Sequence, residues 1–260
     1  MNWIELNGGS TRYLLEGEGA PALVLIHEMG GSLESWSPLV PAIAGGRTIL
    51  RYDMRGFGGA SKLRGAGAIE VLVADLIALL DALSLRDPVD LCGMAVGGAV
   101  ALHAAALHPG RVRRIALMGP ALGIAPERRE AVRARADMLE AGGMAAIADG
   151  ELALTYPQAL RDDARFPSYR ARWLGNDPAS YAATYRMLAG LASEPALDAV
   201  RCPALLLAGA HDPLRPPALI ADAAAAIAGA RFAVVPSGHV MAHQSPAPVA
   251  RELHAFWRAA

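Results

Sequence analysis

The segment V-D-L-C-G-M-A-V-G-G-A-V, centred on Ala95, has the layout of a strand-to-helix nucleophile elbow with alanine where the nucleophile would stand. Val89 to Cys92 supplies a short apolar strand, and Ala99 to Leu107 an alanine-rich helix. Between them, Gly93, Gly97 and Gly98 provide the missing side chains that a strained, tightly packed turn requires. Two residues of matching chemistry lie downstream. Asp212 follows a predicted strand, Ala204 to Ala208, and His239 follows another, Phe232 to Val235, so both are expected at the same sheet edge as residue 95. A histidine that takes a hydroxyl proton while a carboxylate holds its tautomer is the apparatus that makes serine an acylating nucleophile. The chain order nucleophile, acid, histidine fits the elbow motif. His239 alone reads as a loop histidine; within this constellation it reads as the base. Asp212 competes with His211 and also suits an N-cap before Pro213. No Asp or Glu occurs in Gly119 to Ala125, the alternative place for the acid.

Composition bounds the partners. A chain of 260 residues can bury one sizeable core, with room for an inserted subdomain. The net charge of -1 gives no electrostatic reason to expect nucleic acid or an anionic membrane as a partner. The longest apolar runs, such as Ala20 to Ile26 and Pro203 to Ala210, are far short of a membrane span. M-N-W-I-E-L-N-G-G lacks the basic and apolar regions of a secretory signal, which leads us to expect a cytoplasmic protein. Cys92 and Cys202 are expected as free thiols, and no metal or cofactor site is expected. Lys62 is the only lysine, so the cations of this chain are arginines. The expected partner is a small-molecule substrate, and the oligomeric state is left open.

The elements that must position these residues alternate. Trp3 to Leu6 and Arg12 to Glu16 read as a hairpin, followed by buried strands at Ala22 to His27, Thr48 to Tyr52, Val89 to Cys92, Arg114 to Met118, Ala204 to Ala208 and Phe232 to Val235. Helical patterns stand at Ile69 to Leu83, Ala95 to Leu107, Ala218 to Ile227 and Pro248 to Trp257. Buried strands alternating with helices predict a mostly parallel sheet covered on both faces. From Gly119 to Glu194 no strand signal occurs, only amphipathic segments broken by Pro and Gly, as expected of a helical insertion.

Five segments in order resemble the α/β-hydrolase superfamily over essentially the whole chain. These are L-V-L-I-H-E-M-G-G (23–31), Y-D-M-R-G-F-G-G-A (52–60), the elbow at 93–97, L-L-L-A-G-A-H-D-P-L-R-P-P (205–217) and V-P-S-G-H (235–239). The resemblance implies an α/β-hydrolase fold with an eight-stranded, mostly parallel sheet. It divides the chain into core residues 1–119, a helical cap at 120–195 and core residues 196–260. The run N-D-P-A-S-Y-A-A-T-Y-R-M-L from Asn176 is similar to that of 3-oxoadipate enol-lactonases and related small esterases.

The resemblance also implies an oxyanion hole built from the backbone N–H groups of Met29 and Val96. Glu28 departs from the pattern, since H-G has glycine there; it reads either as a solvated or arginine-paired glutamate or as a residue that orients substrate or water. His27 is expected to brace the turn. The segment Gly119 to Glu194 holds nine arginines and ten acids, so most of these arginines are expected in ion pairs. Arg135 is the favoured carboxylate binder. Tyr156, Trp173 and Tyr185 are candidate pocket residues or cap core.

Ala95 has three explanations: an engineered replacement of serine, a natural loss in a binding protein, or chemistry without a nucleophile. Asp212, His239 and the elbow glycines are all present, which favours the first. An aspartate is the other candidate original nucleophile, with serine favoured by G-x-S-x-G-G. The implied activity is hydrolysis of a small, carboxylate-bearing ester, lactone or amide through an acyl-enzyme, here without its nucleophile. The alternatives are a carbon–carbon bond hydrolase of ring-fission products and a non-catalytic ligand receptor.

Overall fold

The apolar runs fold into the strands β1 (Asn2–Leu6), β2 (Gly9–Glu16), β3 (Leu23–Ile26), β4 (Ile49–Tyr52), β5 (Val89–Met94), β6 (Val112–Met118), β7 (Ala204–Gly209) and β8 (Arg231–Val235). The computed structural model describes residues 1–65, 67–161 and 164–259. The strands form one sheet in the order β1-β2-β4-β3-β5-β6-β7-β8. β2 runs antiparallel to both β1 and β4, and every pair from β4 to β8 is parallel. β3, β4, β5 and β7 are buried along their whole length, so successive side chains on both faces are covered. β1 and β8 are the edges and leave Trp3 and Val234 exposed.

The first hairpin is tighter than the apolar pattern suggests, because β2 begins at Gly9. Asn7 and Gly8 take positive φ of 48° and 73°, the left-handed pair that a two-residue hairpin turn requires. That extends pairing back through Ser10 and Thr11, which are too polar to register as strand.

The helices are α1 (Val40–Ile43), α2 (Ile69–Ala82), α3 (Val96–Leu107), α4 (Arg129–Gly142), α5 (Ala148–Thr155), α6 (Arg165–Leu174), α7 (Pro178–Gly190), α8 (Glu194–Ala199), α9 (Pro217–Ala225), α10 (Met241–Gln244) and α11 (Pro246–Ala259). α3 is buried from Val96 to Ala105, which its small side chains allow: it packs on β3, β5 and β6 and is covered by α2 and α8. α1 and α10 pack against α11. Between β6 and β7 lie α4 to α8 and short 3-10 turns, with α4 packed along α7 and an isolated bridge, Gly123 to Ala192, tying the two ends together. α7 starts at a strong cap: the Asp177 carboxylate accepts the Ser180 N–H, and Pro178 occupies the first turn. Among the described residues no helix is long and apolar enough to cross a membrane.

Candidate active site

β5 ends at Met94, and Ala95 turns the chain directly into α3 with φ 52° and ψ −112°. Such a conformation is costly for a residue with a Cβ and persists only when its surroundings impose it. Here the Ala95 N–H donates to Met118 O at 2.9 Å, and Ala95 O accepts from Ala121 N at 2.9 Å, so β6 and the loop after it clamp the turn on both sides. The flanking glycines are required by space. A Cβ on Gly93 would lie 2.2 Å from Gly97 O, and one on Gly97 2.1 Å from Ile26 O. The Ala95 methyl is left at the carboxyl end of the sheet's central strands, on the wall of a cavity.

His239 and Asp212 meet beside it. The His239 Nδ1–H donates to Asp212 Oδ2 at 2.8 Å, which leaves Nε2 for the cavity that His239 lines. Asp212 also caps its own loop: Oδ1 accepts from Leu214 N at 2.9 Å and from Arg215 N at 3.1 Å. The N-cap and catalytic readings of Asp212 are therefore compatible, one carboxylate oxygen serving each. Burial pushes the Asp212 carboxyl up, but the attraction and hydrogen bond of His239 and the two loop amides outweigh it, leaving the group below its ordinary value. His211 is exposed and its N–H goes to Ser237 O.

The loop after β3 forms the facing wall. His27 is fully buried and spends both ring nitrogens on the backbone, Nδ1 donating to Glu28 O at 2.7 Å and Nε2 accepting the Met54 N–H at 2.9 Å. It braces the turn. Met29 and Val96 both line the cavity, and among the described residues neither N–H has an acceptor in the protein. Glu28 is not solvated, and among the described residues it has no arginine partner: it is 2% exposed, and its Oε1 accepts from Ser35 Oγ at 2.9 Å. Its Oε2 is buried without a partner among the described residues. The carboxylate lies over Gly31, where a Cβ would sit 2.4 Å from it, so the glutamate at 28 depends on the glycine at 31.

These walls enclose a cavity of about 200 Å³ closed from above by α4, α5, α6 and α7, with Val132, Leu154, Tyr169, Tyr181 and Leu188 among its lining residues. Arg135 lines it, but its guanidinium is committed to an ion pair with the buried Glu151, to which Tyr185 also hydrogen-bonds. Arg135 is therefore in the cavity as expected, with its charge already shared with Glu151. Of the two readings of Tyr156 and Trp173, pocket residues or cap core, the first is corrected, since neither is among the residues that line the cavity. Trp173 is fully buried, with Nε1 donating to Tyr181 Oη at 3.0 Å, and Tyr156 is fully buried against Phe166 and Tyr169. Sequence reasoning missed Arg128 and Arg215, which do line the cavity. The position of Arg215 three residues after Asp212 was the available signal.

The profile of the alpha/beta hydrolase fold family matches residues 21–151, from β3 through the elbow into α5. The chain belongs to the alpha/beta hydrolase fold family. Its relatives include hydrolases. It is 29% identical over 211 residues, 80% of this chain and 78% of the relative, to (E)-2-((N-methylformamido)methylene)succinate hydrolase of Acinetobacter baylyi. It is 40% identical over 115 residues to 2-hydroxy-6-oxo-2,4-heptadienoate hydrolase of Pseudomonas putida, a match that spans 43% of this chain and 41% of the relative. Among solved structures, this alpha/beta hydrolase superposes on the enol-lactonase from Burkholderia xenovorans LB400 with a TM-score of 0.92 and 28% identity, covering 99% of this chain and 100% of that one.

Proposed function

We propose that this chain is a serine-hydrolase scaffold whose cavity, beneath a cap formed by residues 120–195, takes a small carboxylate-bearing ester, lactone or amide. Its nucleophile position carries alanine. The observation that supports this best is the 2.8 Å His239–Asp212 hydrogen bond, on a histidine that lines the same cavity as Ala95, Met29 and Val96. With serine at 95, His239 Nε2 would take the hydroxyl proton as Oγ attacks the substrate carbonyl, and Asp212 would steady the imidazolium. The Met29 and Val96 N–H groups would receive the developing oxyanion, and His239 would return the proton to the leaving group. Water, deprotonated by the same histidine, would then release the acyl group.

With alanine the acyl-enzyme cannot form, and the chain retains recognition without turnover. The retained base, acid and elbow glycines support reading Ala95 as the replacement of a serine. Two other readings have observations of their own. The similarity to a 2-hydroxy-6-oxo-2,4-heptadienoate hydrolase favours carbon–carbon cleavage with the same three positions. Ala95 itself favours a ligand-binding protein on this fold.

The test is steady-state kinetics of Ala95→Ser against activated esters, lactones, amides and a vinylogous diketone, with product analysis. Turnover of esters, lactones or amides is the expected result. Cleavage of the diketone alone would select the carbon–carbon reading, and a folded, inert Ala95→Ser would select the receptor.

A further inference from the structure

Three arginines line the inner cavity, and one of them, Arg135, is paired with an acid, Glu151. Arg128 and Arg215 differ. Both line the inner cavity with Ala95 and His239, and both also line a second, outer groove, as do Ile124 and Leu214. The four residues shared by the two spaces mark the neck between them.

Arg215 is held in place by backbone alone, Nε donating to Pro120 O at 3.2 Å and Nη1 to Leu214 O at 2.8 Å. No carboxylate among the described residues forms an ion pair with either guanidinium, although Glu194 and Asp222 line the outer groove. Burial disfavours the Arg215 cation, Asp212 supports it, and the charge of Arg128 opposes it again. Two guanidinium groups at one neck without an ion-pair partner repel each other, and a carboxylate between them relieves that repulsion while giving each fork an acceptor.

We propose that Arg128 and Arg215 form an anion clamp at the neck, holding a carboxylate of the substrate while its scissile carbonyl lies at Ala95 and His239. This rests on reading the cavity as the substrate site. It also sets the orientation of the substrate. The anionic tail faces the neck and the uncharged carbonyl faces the elbow.

The alanine-bearing chain makes the test a binding experiment, independent of turnover. Titration calorimetry is run with the monomethyl esters of succinate, glutarate and adipate, each against its uncharged dimethyl ester. At least one monomethyl ester should bind on the order of tenfold or more tighter than its dimethyl partner, as expected for charge-assisted hydrogen bonds. Arg128→Gln and Arg215→Gln should each weaken that ligand about tenfold. Arg215→Lys should retain part of the affinity, and Arg133→Gln, on the exposed side of α4, should change nothing. Arg128 is exposed at the neck, so its variant decides the matter even if Arg215→Gln fails to fold.

Equal binding of charged and neutral esters, no binding of any monomethyl ester, or unchanged binding in Arg128→Gln would overturn the clamp. An Ala95→Ser enzyme that hydrolyses neutral and anionic esters alike would remove the clamp and leave the proposed function standing.

Discussion

Replacing Gly97 by alanine tests how tightly the elbow is built. The new Cβ would lie 2.1 Å from Ile26 O and 2.5 Å from His27 O, both backbone atoms at the end of β3. Ordinary contact begins at 3.4 Å, so α3 and β3 must separate by more than an ångström. Neither carbonyl can swing away as a flexible side chain would. Overpacking of a core costs about 1–3 kcal/mol, and a clash against fixed backbone on both sides belongs at the upper end, about 3 kcal/mol. At roughly 2–4 °C per kcal/mol for a chain of this size, Tm should fall by about 6–12 °C.

Two companions grade the effect. A Cβ on Gly98 meets Pro120 Cα at 3.0 Å, so Gly98→Ala should cost less, and Gly110 has nothing within 4 Å, so Gly110→Ala should be near neutral. In an Ala95→Ser background, the shift of α3 moves the Val96 amide from the cavity wall, and a misplacement of about 1 Å commonly costs about 100-fold in rate. Calorimetric melting of the three variants is the assay. A Gly97→Ala protein that melts with the parent, or above Gly98→Ala, would refute the packing argument.

Two further predictions concern the scaffold. Asp53 is fully buried and accepts from Arg12 Nε at 2.7 Å, Leu33 N at 2.8 Å and Gly59 N at 2.7 Å, so Asp53→Ala should destabilise by about 3–5 kcal/mol in denaturant titration, and a loss under 1 kcal/mol would contradict it. Asp177 caps α7 and is held at about 2, burial being outweighed by hydrogen bonds from Arg64 and Ser180. A carboxylate depressed by folding stabilises above its unfolded pKa and loses that contribution as pH falls through the folded value. Asp177→Ala should therefore cost about 1 kcal/mol near neutrality. The difference from the parent should shrink between the ordinary carboxylate range and about pH 2, and a difference that grows on acidification would contradict it.

The parallel sheet is readable in the sequence because its strands are buried on both faces and so appear as unbroken apolar runs: Ala204 to Ala208 is observed as Ala204–Gly209, and Thr48 to Tyr52 as Ile49–Tyr52. The elements that escape are short or carry no period, such as α1, α8 and α10 with four to six residues each. At the site, the residues fixed by local chain geometry were accessible: Ala95 by its glycines, and Asp212 and His239 by the strands they follow. The residues fixed by tertiary pairing were not. Arg135 meets Glu151, sixteen positions away and buried, and Trp173 meets the Tyr181 hydroxyl, while Arg128 and Arg215 stand out only because the fold sets both on the cavity wall. The two readings of Glu28 could not be separated in the sequence, because nothing local reveals that Gly31 and Ser35 make room for a buried carboxylate.

The proposed function treats this chain as a serine-hydrolase apparatus lacking one hydroxyl, and intact-mass detection of a fluorophosphonate adduct puts that reading to the test. Ala95→Ser should gain one adduct at residue 95, the parent chain should gain none, and Ala95→Ser with His239→Ala should label slower by several orders of magnitude, on the scale of losing the catalytic base. A folded Ala95→Ser protein that stays unlabelled, or one whose labelling ignores the loss of His239, would contradict the account.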